Sequence, residues 1–506
     1  MTNNYNVRDD RFSLLEPVTL AGTLDDYTHP VFGGRTYSVY PTPGHTVGSL
    51  SLLAEIDGRR VAFTGDLIAE GGRVHSPGSL QWTYTVMAGA AANMVSLHGL
   101  AAQHAQLLLP SHGEPIGEPE RDIKRLADRL WGVLQARGES TRLLSWLEQP
   151  YQRLSPHLLL NRTSVSNSYV LLSECGDALL IDFGYDMMTG FAAGFDRASR
   201  RPWLYTLDAL KKDYGVRRID VALATHYHDD HVAGFNLLRE IEGTQIWAAE
   251  KYAGIMEHPA NYDLPCLWFE PIRVDRALPF ERPVRWNEYE FRLYPLPGHA
   301  QHAAAVSFEV DGRRVLATGD QYKEDTADEL NYVLKNGFGP GDYRFSAQLL
   351  AALAPDLILS GHWAPLAPGP GYYDRLLERG ESLQKQYAEL GLPDGAVEVS
   401  LTPYQVAAPS GECIDMQVVL QNRSKHGATV RIELVVPRGW NVLPRHAEQD
   451  LASGESCLVD LSVMPGPAAV RRARVAADVT LNGKRLGQIA EALVTVEAEL
   501  PGAGSV

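Results

Sequence analysis

The pentapeptide Asp-Gly-Arg-Arg-Val occurs twice in this chain, starting at Asp57 and at Asp311, 254 residues apart. Pro-Gly-His (His45, His299), Gly-Asp (Asp66, Asp320) and Glu-Pro (Glu16, Glu270) keep the same offset of 254. One offset held over so many positions marks a long internal repeat rather than two unrelated hairpins. In each copy Asp-Gly separates two apolar runs, which predicts a β-hairpin. A further apolar run then ends at a histidine, Leu107-Leu108-Leu109-Pro110-Ser111-His112 in the first copy and Leu357-Ile358-Leu359-Ser360-Gly361-His362 in the second. In the first copy a helix is predicted next, from Ile123, Leu126, Leu130 and Leu134 at helical spacing.

The repeat is lopsided. The second copy has an upstream half, from about Pro156 to Met256, and the first copy would need its counterpart before residue 1. A half-domain leaves an apolar sheet face uncovered, so the chain is expected to be a fragment, short of roughly a hundred residues at its start. The alternatives are a true orphan half-domain, or a half that docks on another molecule. Three regions follow: a partial repeat over 1–145, a complete domain over 150–392 and a β-sandwich over 396–499. The last is read from short alternating segments such as Ile414–Leu420 and Val430–Val436, parted by Gly, Asn, Pro and Ser.

The upstream half carries the densest chemistry. Ala-Thr-His-Tyr-His-Asp-Asp-His-Val-Ala-Gly runs from Ala224 to Gly234, with three histidines and two aspartates between His226 and His231. An apolar run, Ile219–Ala224, precedes it as a buried strand would, and a helical pattern follows. Neutral imidazole and carboxylate donors at the end of a strand suit zinc, and also manganese or iron.

Composition narrows the function. A formal charge of −16 leaves no basic surplus to neutralise phosphates, which argues against nucleic acid. No apolar run is long enough to span a membrane, and Met1–Tyr5 does not open a signal peptide, so no membrane partner and a cytoplasmic location are expected. The four cysteines are far apart and are expected to be buried free thiols, although Cys413 and Cys457 fall in one domain and could pair.

His-x-His-x-Asp-His at His226–His231, Pro-Gly-His at His299, Gly-Asp at Asp320 and Gly-His at His362 together resemble the metallo-β-lactamase superfamily of hydrolases. The resemblance spans about Pro156 to Gly391 and implies an α/β fold, an αββα sandwich with two metals at one rim. It implies that His226, His228 and His299 hold one ion, that Asp230, His231 and His362 hold another, and that Asp320 bridges them. Asp230 and Asp320 would be the catalytic carboxylates. A bridging hydroxide would attack an ester, thioester, lactone, amide or phosphoester of a small-molecule substrate, two divalent ions (most readily zinc) being the cofactor. In the first copy His45, Asp66 and His112 match three of these positions and form an incomplete site.

The second copy departs from the family after His299, with Ala300-Gln301-His302 where the first copy keeps Thr46-Val47-Gly48. His302 is expected either to support a ligand or to edge the pocket. Tyr322, Lys323, Asn331, Tyr332 and Lys335 are expected to meet substrate. The pattern Val436-Pro437-Arg438-Gly439-Trp440 resembles the immunoglobulin-like accessory domains of bacterial enzymes. A thioesterase or lactonase is the specific expectation. The alternatives are a di-iron oxidoreductase on the same fold, or a non-catalytic metal scaffold with the β-sandwich as binding module.

Overall fold

The computed structural model describes residues 20–80, 89–186, 202–322, 335–337, 339–390 and 397–497. The chain divides into two compact units. One holds the described residues up to Ala222 together with Asp230–Gln245; the other holds Leu223–Asp229 and the described residues from Ile246 onward.

In the first unit, strands Ser38–Pro41, Leu50–Ile56, Arg59–Gly65 and Leu107–Pro110 form a sheet in that order, antiparallel except for the parallel last pair. The Asp57-Gly58 hairpin forms because both residues take positive φ (50° and 73°), the conformation that suits the twist of a two-residue turn. The helix Pro119–Arg137 buries Ile123, Leu126, Leu130 and Leu134 on one stripe, against Leu53, Ala62, Leu97 and Leu108. Strands Tyr151–Ser155, Leu158–Asn161, Ser168–Leu172, Asp177–Ile181 and Arg218–Leu223 are consecutive in a second sheet, and Val31–Phe32 pairs with Arg35–Thr36 apart from both. Ser168–Leu172 and Asp177–Ile181 are buried along their whole length, which is why they read as continuous rather than alternating apolar runs.

In the second unit, Pro283–Trp286, Tyr289–Pro295, Ala304–Val310, Arg313–Gly319 and Leu357–Ser360 form a five-stranded sheet, again with a parallel last pair. Ala304–Val310 and Arg313–Gly319 lie 254 residues beyond Leu50–Ile56 and Arg59–Gly65, and both copies shift register at the same point, Ala317/Gly319 and Phe63/Gly65. Helices Asp342–Leu353 and Tyr372–Glu389 cover the sheet over Leu296, Leu316, Tyr322, Tyr343, Ile358 and Tyr372. Gly380 lets these helices approach, because a Cβ there would sit 2.7 Å from the Arg344 Cα.

From Val397 onward the second unit is entirely strand and turn, with a four-stranded and a five-stranded sheet. Burial alternates along Ile414–Asn422 and Ala428–Val435, and Met416, Val418, Leu420, Val430, Ile432 and Leu434 enter one shared core. The expectation of buried cysteines is corrected here: Cys175, Cys266 and Cys413 are exposed and Cys457 is half-buried, all as free thiols. Cys175 sits in the turn between two strands and Cys413 just before one, at positions that face solvent. Cys457 faces Leu420 while Cys413 precedes Ile414, which faces Val463, so the two lie about 20 Å apart along the ladder and do not pair. Among the described residues no helix is long and apolar enough to cross a membrane.

Candidate metal centre

The site is built where strand Arg218–Leu223 ends. Ala224 stays tied by its N–H to the Trp247 carbonyl (3.2 Å), and its own carbonyl accepts the Tyr252 hydroxyl (2.6 Å). The Thr225 carbonyl accepts the Ala304 N–H (2.9 Å), and His228 forms an isolated bridge with Leu267. These ties hold an otherwise irregular segment in place. His226 and His228 are thereby brought to the same point, with ring centroids 4.5 Å apart.

His299 and Asp320 arrive from the five-stranded sheet. Gly298 takes φ +148°, and a Cβ there would lie 2.2 Å from the Gln321 side chain. Gln321 closes over that gap, accepting the His299 N–H at Oε1 (2.9 Å) and donating to the Pro297 carbonyl (3.1 Å). Gly319, at φ +51°, lies against Thr225 and His226 and turns the chain so that Asp320 faces the imidazoles.

The outcome is a quartet, His226, His228, His299 and Asp320, all buried, each offering a donor atom within 4.8 Å of the others. His299 Nε2 is 3.1 Å from His228 Nδ1 and 3.4 Å from Asp320 Oδ2, and His362 Nε2 is 3.0 Å from the same carboxylate oxygen. The tautomer of His228 is fixed by Asn336. Asn336 Oδ1 accepts from His228 Nε2 (3.1 Å) and from the Tyr227 hydroxyl (2.8 Å), so the proton sits on Nε2 and Nδ1 keeps its lone pair. Thr225 Oγ1 lies 3.1 Å from His226 Nδ1, which leaves Nε2 as that ring's ligand atom. Converging lone pairs beside a buried carboxylate repel one another unless a cation lies among them. The donor set of imidazole nitrogens and carboxylate oxygen therefore fits a divalent metal of the zinc type.

Asp230 and His231 follow in the next turn of chain, the short helix Asp229–Val232. His231 is buried and donates from Nδ1 to Asp182 Oδ2 (2.8 Å), so its Nε2 is the acceptor, 3.7 Å from Asp230 Oδ2. The Phe183 N–H donates to the His231 carbonyl (2.8 Å) and the Gly234 N–H to the Phe183 carbonyl (2.9 Å). Gly184 passes so close to this turn that a Cβ would fall 1.5 Å from the Asp230 carbonyl oxygen.

The expected substrate contacts fare differently. Tyr322 is 2% exposed and packs in the apolar core with Leu296, Tyr343 and Tyr372, so its expected place against substrate is corrected: Gly319 turns Asp320 outward and the next aromatic side chain goes under the sheet. Lys323, Asn331 and Tyr332, like Gln81–Tyr84 of the first copy, lie outside the described residues. Lys335 is exposed and pairs with Asp263 (2.5 Å). His302 is half-buried and lines a cavity; burial, with the charges of Arg423 and Lys251 adding to it, pushes its imidazole down to about 4. In the first copy His112 Nδ1 donates to Asp66 Oδ1 (2.7 Å), His45 Nε2 is 3.7 Å from Asp66 Oδ2, and His75 stacks on His112 with centroids 4.0 Å apart.

Residue patterns alone missed Asn336, Asp182, Gln321 and Thr225. Asp182 did carry a signal, since it ends the buried run Ala178–Ile181. Asn336 carried none.

Residues 162–362 match the sequence model of the Metallo-beta-lactamase superfamily. No curated protein sequence matches the chain. Among solved structures, the chain is similar to a beta-lactamase from Chitinophaga pinensis, at 19% identity over 48% of this chain and 94% of that one (TM-score 0.35). BJP-1, a subclass B3 metallo-beta-lactamase of Bradyrhizobium japonicum, shares 19% identity over 48% of this chain and 93% of its own (TM-score 0.34). The metallo-beta-lactamase GOB-18 from Elizabethkingia meningoseptica shares 15% over 48% and 93% (TM-score 0.36).

Proposed function

We propose, from the membership of residues 162–362 in the metallo-β-lactamase superfamily, that this chain is a metal-dependent hydrolase of a small ester, thioester or lactone. The observation that carries the reading is the buried quartet in which His299 Nε2 lies 3.1 Å from His228 Nδ1 and 3.4 Å from Asp320 Oδ2. His226, His228 and His299 would hold one ion and Asp230, His231 and His362 a second, with Asp320 shared. Metal there, zinc being the best match to the donors, would supply Lewis-acid polarisation of a carbonyl oxygen and bring the pKa of water to near 7.

The chain's own residues do the preparatory work. Asn336 keeps the His228 proton off the ligating nitrogen, and Asp182 does the same for His231. Asp320, 4% exposed, keeps its carboxylate among imidazoles with water excluded, which strengthens its interaction with any bound cation. The matching strand bounds and register shifts support reading residues 1–145 as a partial first copy of the repeat. The two sheets around one core support an immunoglobulin-like accessory module after residue 396.

Metal analysis of the purified chain, followed by a panel of thioester, lactone, ester, β-lactam and phosphodiester substrates, tests the proposal. Two equivalents of metal and turnover of one carbonyl class are expected. Bound metal with no turnover on any class overturns the hydrolase reading and leaves the metal centre standing.

A further inference from the structure

His228 can carry its single ring proton on either nitrogen with no change of charge, and only one of the two forms ligates through Nδ1. Its nearest neighbour supports the wrong form, because Nδ1 lies 3.1 Å from His299 Nε2, close enough to donate a proton to it. A proton there occupies two ligand atoms at once. What opposes it is the Asn336 amide, whose Oδ1 accepts from His228 Nε2 at 3.1 Å.

An amide has two ends of nearly equal size. Turned over, Asn336 would present Nδ2 to His228 Nε2 and drive the ring proton onto Nδ1. The orientation of this one side chain therefore decides the tautomer, and two contacts fix it. Nδ2 reaches the His299 carbonyl at 3.4 Å, a long bond, whereas Oδ1 takes the Tyr227 hydroxyl at 2.8 Å. Tyr227 and Asn336 are 1% and 0% exposed, so bulk water replaces neither contact. Among the described residues, Asn336 Oδ1 is the hydroxyl's one hydrogen-bond partner. Turning the amide over would set Nδ2 against the phenol oxygen and strand the phenol proton in the core. Stranding a buried donor disfavours the turned form roughly five- to a hundredfold.

We infer that Tyr227 is a positioning residue for the metal centre: its phenol sets the Asn336 amide, and the amide reserves His228 Nδ1 for the ion. The residue between the two ligating histidines thus acts on one of them through a side chain 109 residues away. The inference rests on the metal centre of the proposed function, but the tautomer it concerns is measurable in the metal-free chain.

The test uses the full metal-free chain with 15N-labelled histidine, in which NMR separates a ring proton on Nδ1 from one on Nε2. His228 is identified by the signal lost in His228→Gln. Tyr227→Phe removes one oxygen and keeps the ring, so the core stays filled. It is expected to raise the ratio of Nδ1–H to Nε2–H forms of His228 at least about fivefold, the low end of the effect of stranding that donor. Zinc affinity, read by competition with a chromophoric chelator, should fall by the same factor as the Nε2–H fraction. A mere packing defect lowers stability in urea and leaves the tautomer ratio where it was, and an unchanged ratio overturns the inference. So does a predominant Nδ1–H form in the unaltered chain, or a shifted ratio without the matching loss of zinc affinity. If the unaltered chain takes up no zinc, the metal reading fails, and the ratio in the metal-free chain decides the role of Tyr227 by itself.

Discussion

Two side chains that ligate nothing decide how the histidines of this site present themselves. Asn336 accepts from His228 Nε2 and Asp182 from His231 Nδ1, so each ring keeps a lone pair on its other nitrogen. Asn336→Ala is expected to lower metal affinity roughly 10- to 100-fold, read by competition with a chromophoric chelator, with the fold retained. Asp186 gives a second prediction. Burial raises its carboxyl to about 7, although Thr163 Oγ1 and the Trp203 N–H donate to it. Its folded pKa thus exceeds the unfolded value of 3.8, and between about pH 4 and pH 7 the folded chain binds more protons than the unfolded one. Its contribution to stability is full below pH 4, is lost as pH rises to 7, and is level above. Urea melts of Asp186→Asn should show a flatter slope over that window than the unaltered chain. At this scale the ligand types and their order were legible in the sequence, whereas the burial of Tyr322 was not. Whether the residue after Asp320-Gln321 faces a pocket or a core depends on the left-handed turn at Gly319.

At the scale of elements, glycines at strand ends decide whether the ligands meet. Gly319 sits at φ +51° where the ladder to Leu357–Ser360 shifts register, and a Cβ there would come within 2.9 Å of Thr225 Oγ1. Gly312, at φ +72° in the Asp-Gly hairpin, faces open space, and a Cβ there would meet nothing within 4 Å. Gly312→Ala should cost only the strain of a left-handed alanine, about 1–2 kcal/mol. Gly319→Ala adds a steric clash beside His226, so it should cost more in urea unfolding and also weaken metal uptake, which Gly312→Ala should not. The hairpins were legible because Asp-Gly between apolar runs is a local signal. The helices were legible because their apolar stripe repeats every three or four residues. The register shift was not, since it exists only between two strands some forty residues apart (Ala317 with Leu359, Gly319 with Ser360).

For the whole molecule, metal binding would be coupled to folding, because the candidate ligands come from segments that only the folded chain gathers. Zinc at a hundred times its dissociation constant should raise unfolding stability by about 2.7 kcal/mol per independent site, and a chelator should reverse the gain in a calorimetric melt. His226→Ala should remove the increment from the first ion. The repeat, the order of the ligand motifs, the hairpins and helices, and the alternating strands of the C-terminal region could all be read along the chain, since each is written in residues near one another. Folding in three dimensions settled the rest: which histidine nitrogen is left to ligate, and that Cys175, Cys266 and Cys413 are exposed. Those outcomes turn on pairs such as His228 and Asn336, which are 108 residues apart. Nothing local encodes such a pair; it forms because burying both polar groups is tolerable only when each satisfies the other.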